Sequence, residues 1–198
     1  MTPFTIDALR EAIHSHTPRR LRPSDFPGYQ HASVLIPIVP TGSELSFILT
    51  VRTEDVETHQ GQISFPGGVA ESADRDDIAT ALREAHEEIG LQPASVEVLG
   101  TMDEYPVPSG YTIAPVVGFL PAMPRLIPQA GEVAEVFTVP VGFFADAGNG
   151  RTEMRELGGK PVEVWYYQHG PHLIWGATAA MIRGLLHIVD RASPRSSR

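Results

Sequence analysis

The chain has 198 residues, 42% hydrophobic and 20% charged, which fits one soluble domain with a proper core and excludes a disordered chain. Its formal net charge of −9 argues against nucleic acid as the main partner. No apolar run approaches the roughly 20 residues that a membrane span needs, and the absence of cysteine excludes disulfides, thiol catalysis and thiolate metal sites. The first residues, with acids and no long apolar centre, do not read as a signal peptide, so a cytoplasmic protein is expected.

In chain order, Ile6 to His14 reads as a helix capped by Thr5, and Thr17 to Pro27 as a Pro-rich, basic linker. Ala32 to Val39 and Leu45 to Val51 read as strands around a Thr-Gly-Ser turn. Arg52 to Gly61 is a polar loop leading to a short strand that ends at Phe65, and a helix follows from about Asp76 to Ile89. Val96 to Met102, Ile113 to Leu120 and Val133 to Val139 are further strands, with a Pro- and Gly-rich loop from Asp103 to Tyr111. Arg151 to Leu157 and Val162 to Gln168 read as a hairpin across Gly158-Gly159. Gly176 to Val189 closes the chain as a helix, with Ala180, Met181, Leu185 and Ile188 on its core face. Residues 1–30 are thus an N-terminal extension, 31–190 the main domain and 191–198 a polar tail.

The run Arg83-Glu84-Ala85-His86-Glu87-Glu88-Ile89-Gly90-Leu91 carries the chemistry. In a helix, residues three and four apart share a face, so Glu84, Glu87 and Glu88 fall in one sector about 100° wide. Ile78, Leu82, Ala85 and Ile89 form the opposite, apolar stripe, and Gly90 is placed to end the helix with a left-handed residue. Three crowded carboxylates repel one another unless a cation sits among them, and hard oxygen ligands of this kind suit Mg²⁺ or Mn²⁺. The plainer reading is a solvated acidic face with an Arg83–Glu87 pair. The flanking glycines, the leading arginine and the length of the pattern favour a site.

This run resembles the Nudix box, a glycine-led loop and helix ending in Arg-Glu-apolar-any-Glu-Glu-any-Gly-apolar, and it matches from Arg83 to Leu91 at every defined position. The usual box has a glutamate eight residues before the arginine, whereas Asp74 stands nine before Arg83, so the loop is one residue longer and its acid shorter. Asp77, two turns before Glu84, is either a further acid near the site or a helix N-terminal residue favoured by the dipole. Upstream, Leu49-Thr50-Val51-Arg52 and Gly61-Gln62-Ile63-Ser64-Phe65-Pro66-Gly67-Gly68 resemble the coenzyme A pyrophosphatase branch of the Nudix hydrolases, as does Ile174-Trp175-Gly176-Ala177-Thr178-Ala179. Many members of that branch carry a basic residue where this chain has Glu57.

The resemblance implies a mixed sheet in a Nudix-type α/β/α sandwich, an α/β fold, over residues 31–190. It implies metal-dependent hydrolysis of a pyrophosphate bond in coenzyme A or its derivatives, yielding adenosine 3′,5′-bisphosphate and 4′-phosphopantetheine. The expected metal ligands for Mg²⁺ or Mn²⁺ are Glu84, Glu87 and Glu88, the expected catalytic residues Arg83, Glu84 and Glu88, and the expected substrate-binding residues Arg52, Gly67 and Gly68. Glu104, Glu132 and Glu135 are the candidates for the base, and Glu132 and Glu135, in one strand, would point to opposite faces. His59 is a candidate for a phosphate contact and Tyr111 for stacking on adenine; His86 sits at a variable position of the box. Arg19, Arg20 and Arg22 read as surface residues that can lend charge to an anionic substrate. An ADP-ribose or dinucleotide pyrophosphatase, and a non-catalytic nucleotide-binding or regulatory module, are the alternatives. The partner expected is a small nucleotide of coenzyme A type, with neither nucleic acid nor membrane; a homodimer is compatible with the sequence.

Overall fold

β1 (Gln30–Thr41) runs through the middle of the molecule and is buried on both sides from Ala32 to Val39. Its side chains alternate, as the two-residue period of a strand requires. Val34, Ile36 and Ile38 enter one apolar cluster, and Leu35 and Val39 enter another across the sheet. β2 (Glu44–Arg52) repeats the division, with Phe47 and Leu49 on the first side and Ile48 on the second. A strand covered on both faces loses the apolar/polar alternation and reads as one hydrophobic run, which made β1 and β2 legible.

The computed structural model describes residues 4–53, 61–157 and 160–192. Within them the main sheet also contains β3 (Ile63–Ser64), β4 (Gly67–Val69), β5 (Glu97–Thr101), β6 (Tyr105–Val107), β7 (Tyr111–Phe119) and β8 (Val133–Pro140). β1 pairs with β7 in parallel and the other ladders are antiparallel, so the sheet is mixed, as expected. β2 pairs with β1 only from Glu44 to Phe47; at its far end Thr50 and Val51 pair with β3 instead. The facing stretch of β1, Ala32 to Val34, pairs with β4. The two central strands thus part, and the short strands in the gap bring Arg52 and Gly67-Gly68 to one end of the sheet.

One face of the sheet is covered by α2 (Asp77–Ile89), through Ala81, Ala85 and Ile89, with Ile78 and Leu82 partly buried beside them. The other face carries α1 (Ile6–Ser15) and α4 (Gly176–Ala192), where Leu9, Ala12 and Ile13 share a cluster with Met181, Ile182, Leu185 and Val189. Thr5 caps α1 by accepting from the Ala8 amide at 3.3 Å. Arg10 forks onto Glu97 at 2.9 and 2.8 Å, tying α1 to β5. β9 (Gly150–Leu157), β10 (Lys160–His169) and β11 (His172–Trp175) form a second antiparallel sheet. Its Tyr167 and Ile174 join the α1/α4 cluster beside Phe144 of α3 (Val141–Ala145).

Four elements escape the sequence reading. The expected loop from Asp103 to Tyr111 contains β6, whose Pro106 is tolerated because among the described residues β6 pairs only with β7. β4 carries two glycines, β11 is four residues long and α3 only five, too short for periodicity to show. Among the described residues no helix is long and apolar enough to cross a membrane.

Candidate active site

α2 begins where Asp76 accepts from the Ala79 amide at 2.8 Å and ends at Gly90, whose φ of 68° lies in the left-handed region. Between these caps the apolar stripe fixes the rotation of the helix, so Arg83, Glu84, Glu87 and Glu88 face the gap between β1 and β2. The two glycines of β4 admit that approach. A β-carbon on Gly68 would lie 2.5 Å from the Glu84 carboxyl carbon, and one on Gly67 would lie 2.4 Å from the Ser33 carbonyl oxygen. Neither position tolerates a side chain without displacement, and the first constrains the acid itself.

Arg83 is the hub. Its Nε lies 3.1 Å from Asp74 Oδ1, and its Nη2 donates to Asp74 Oδ2 and to the Val69 carbonyl, each at 3.0 Å. Nη1 donates to Glu84 at 2.9 Å and to Glu87 at 3.0 Å. Asp74 also accepts from the Glu71 amide and the Thr80 hydroxyl. The Arg83 hydrogen bonds, and after them the Glu71 amide, hold its carboxyl at about 2. The shorter acid of the longer loop therefore reaches the arginine.

Glu88 is the most enclosed of the acids, 3% exposed. Arg52 Nη1 donates to its Oε1 and the Gly67 amide to its Oε2, both at 3.2 Å. Burial pushes its pKa up to about 7, and the charges of Glu84 and Glu132 push the same way, against Arg52 and the Gly67 amide. Glu84 is raised too, by burial first, while Arg83 opposes. Glu87 is the exposed member of the three. The structure thus brings Arg52, Gly67, Gly68, Arg83, Glu84, Glu87 and Glu88 together.

The three candidate bases separate. Glu104 is buried and engaged elsewhere: Arg20 Nη1 donates to it at 2.9 Å and the Leu21 amide at 2.7 Å. Glu135 is exposed and pairs with His172 at 3.1 Å. Glu132 precedes β8, in a turn rather than a strand, and its charge acts on both Glu84 and Glu88. The expectation that Glu132 and Glu135 share a strand therefore fails: the chain turns at residues 129–132 so that the Glu132 carbonyl accepts from the Thr53 amide.

Asp77 belongs to a second group. His31 Nε2 lies 2.7 Å from it, and Arg20 bridges it to Glu104. Sequence reasoning missed this clasp because its members lie 46 and 57 residues from Asp77 and share no motif. Of the other linker arginines, Arg19 pairs with Asp103 and Arg22 with Asp25. Tyr111 opens β7, half-buried, and His86 is exposed on α2. Glu57 and His59 lie outside the described residues.

The NUDIX domain family model matches residues 29–155. A Nudix hydrolase named NudL and described as uncharacterized, from Photorhabdus laumondii, is 37% identical over 173 residues, covering 87% of this chain and 90% of its own length. The peroxisomal coenzyme A diphosphatase NUDT7 of Mus musculus is 40% identical over 144 residues, 70% of this chain and 61% of that protein. Among solved structures, the Nudix hydrolase RenU from M. smegmatis superposes with a TM-score of 0.56 at 22% identity, covering 87% of this chain and 92% of that one. A MutT/nudix family protein from Enterococcus faecalis gives 0.56 at 17% identity over 89% and 66%. Family match, relatives and fold agree with the box helix and its glycine strand: the chain belongs to the Nudix hydrolases.

Proposed function

We propose that this Nudix hydrolase cleaves the pyrophosphate bond of coenzyme A or its derivatives, releasing adenosine 3′,5′-bisphosphate and 4′-phosphopantetheine. The observation that carries the reading is the contact of Arg52 with Glu88, which joins the Leu49–Arg52 element to the box helix at 3.2 Å. The likeness to the mouse coenzyme A diphosphatase supports the same substrate class.

The acid cluster fits a divalent cation. Glu88 is buried beside two further acids and its pKa is raised to about 7, an imbalance that a cation would relieve. Glu84, Glu87 and Glu88 would hold Mg²⁺ or Mn²⁺. The ion would neutralise phosphate oxygens and lower the pKa of a water bound to it. Arg83, anchored on Asp74, holds Glu84 and Glu87 in register. Arg52 keeps Glu88 oriented and brings positive charge to an anionic substrate. The Gly67-Gly68 backbone, free of side chains, lets Glu84 and β1 approach β4 closely, and the Gly67 amide holds Glu88. Of the three candidate bases, Glu132 is the one whose charge reaches Glu84 and Glu88, which supports it as the acceptor of the attacking water's proton.

Product analysis by mass spectrometry with coenzyme A, ADP-ribose and NADH tests the reading. Phosphopantetheine and adenosine 3′,5′-bisphosphate are expected from coenzyme A. Turnover of ADP-ribose or NADH alone would refute the substrate class, and no turnover in either metal would refute the enzyme.

A further inference from the structure

Away from the box helix, on the α1/α4 side of the sheet, a cavity of about 630 Å³ opens between the end of α1, the segment joining β5 to β6, and the last turns of α4. In a chain of net charge −9, its lining carries four basic side chains, His16, Arg19, His187 and Arg191, against a single carboxylate, Asp103. That acid is already engaged. His16 Nε2 lies 2.9 Å from Asp103 Oδ1, the Arg19 amide donates to the same oxygen at 3.0 Å, and Arg19 Nε lies 3.8 Å from Oδ2.

His187 and Arg191 stand one turn apart on α4, and neither has an acidic partner among the described residues. Tyr105 crosses α4 at Gly184, where a β-carbon would come within 2.1 Å of its hydroxyl. Tyr105 lines the cavity, and its hydroxyl makes no hydrogen bond among the described residues. An unpaired guanidinium, an imidazole and a hydroxyl donor on one rim suit an oxyanion. Ile188 and Ala192, both partly exposed, supply an apolar edge beside them, and Ala12 and Met102 lie buried beneath.

We infer that this cavity is a second anion site, which takes a phosphate monoester: its phosphate at His187, Arg191 and Tyr105, its apolar body on Ile188 and Ala192. The site shares no residue with the box and requires no metal.

The test is an NMR titration of ¹⁵N-labelled protein in EDTA with phenyl phosphate and, separately, inorganic phosphate. Without metal the box presents carboxylates, which repel both probes. Saturable shifts are expected in residues 103–105 and 184–192, with phenyl phosphate the tighter ligand. Affinity should fall by about tenfold or more in the double variant His187→Ala, Arg191→Ala, whose positions are exposed and whose fold should persist. Glu88→Gln should bind as the wild type does. Absence of saturable shifts, equal affinity in the double variant, or shifts centred on the box helix would overturn the site. Equal affinity for the two probes would overturn the assigned ligand class. Because no catalysis is measured, the result is independent of the coenzyme A reading.

Discussion

Arg83 and Asp74 meet side-on, with Nε 3.1 Å from one carboxylate oxygen and Nη2 3.0 Å from the other. The pair closes the loop before α2 onto the helix and leaves Nη1 free to serve Glu84 and Glu87. Loop, arginine and acids therefore form one unit in which Asp74 is the anchor.

Asp74→Ala leaves Arg83 without its principal partner, and a loss of about 1–3 kcal/mol is expected from the broken charged hydrogen bonds. Activity should fall as well, because Glu84 and Glu87 lose a fixed donor. Thermal unfolding and kcat on coenzyme A measure the two effects. The native carboxyl titrates near 2, below the ordinary aspartate value, so its contribution is full above about pH 4 and is lost as pH falls toward 2. The variant's deficit should shrink over that acid range.

The adjacent glycines separate fold from chemistry. At Gly67 an added methyl group meets the Ser33 carbonyl and the Val34 α-carbon, both backbone, so Gly67→Ala should lower Tm markedly. At Gly68 it meets the movable end of Glu84, so Gly68→Ala should keep most of the stability and lose activity through a displaced carboxylate. Parallel Tm and kcat measurements distinguish the two; equal losses of Tm would contradict this division.

Much of the site was legible in the sequence because it lies in two short runs. The Arg83–Leu91 pattern specified which acids share a face, and Phe65-Pro66-Gly67-Gly68 specified where the backbone must come close. The anchor was not legible, since only the folded loop shows that a shorter acid with one extra residue still spans to Arg83. Nor did the Arg20, His31, Asp77 and Glu104 clasp announce itself, because four distant segments contribute one residue each. Strands buried on both faces were plain as apolar runs, whereas β4, β6 and β11 gain their pairing only from neighbours already in place.

Metal-free stability should follow Glu88. Its folded pKa of about 7 exceeds the unfolded value, so the folded state holds the proton more tightly. The stability this confers is full below about pH 4.5 and is lost as pH rises through 7. Denaturant titrations in EDTA at pH 5 and pH 8 should show the decline, and Glu88→Gln should flatten it. Mn²⁺ should raise Tm more at pH 8 than at pH 5, where protons compete for the acids.

Arg20→Ala strips the shared cation from Asp77 and from buried Glu104, so destabilisation of about 1–3 kcal/mol is expected. Denaturant unfolding checks it. An additional Glu104→Gln substitution should recover part of the loss by removing the unpaired charge.

The most direct test is coenzyme A hydrolysis as a function of Mn²⁺ for the wild type and Glu88→Gln, with EDTA as the blank. Saturable, metal-dependent turnover is expected, falling by about a hundredfold or more in the variant while its fold persists. Turnover that survives EDTA, or a variant as active as the wild type, would contradict the assignment of the acid face as the catalytic centre.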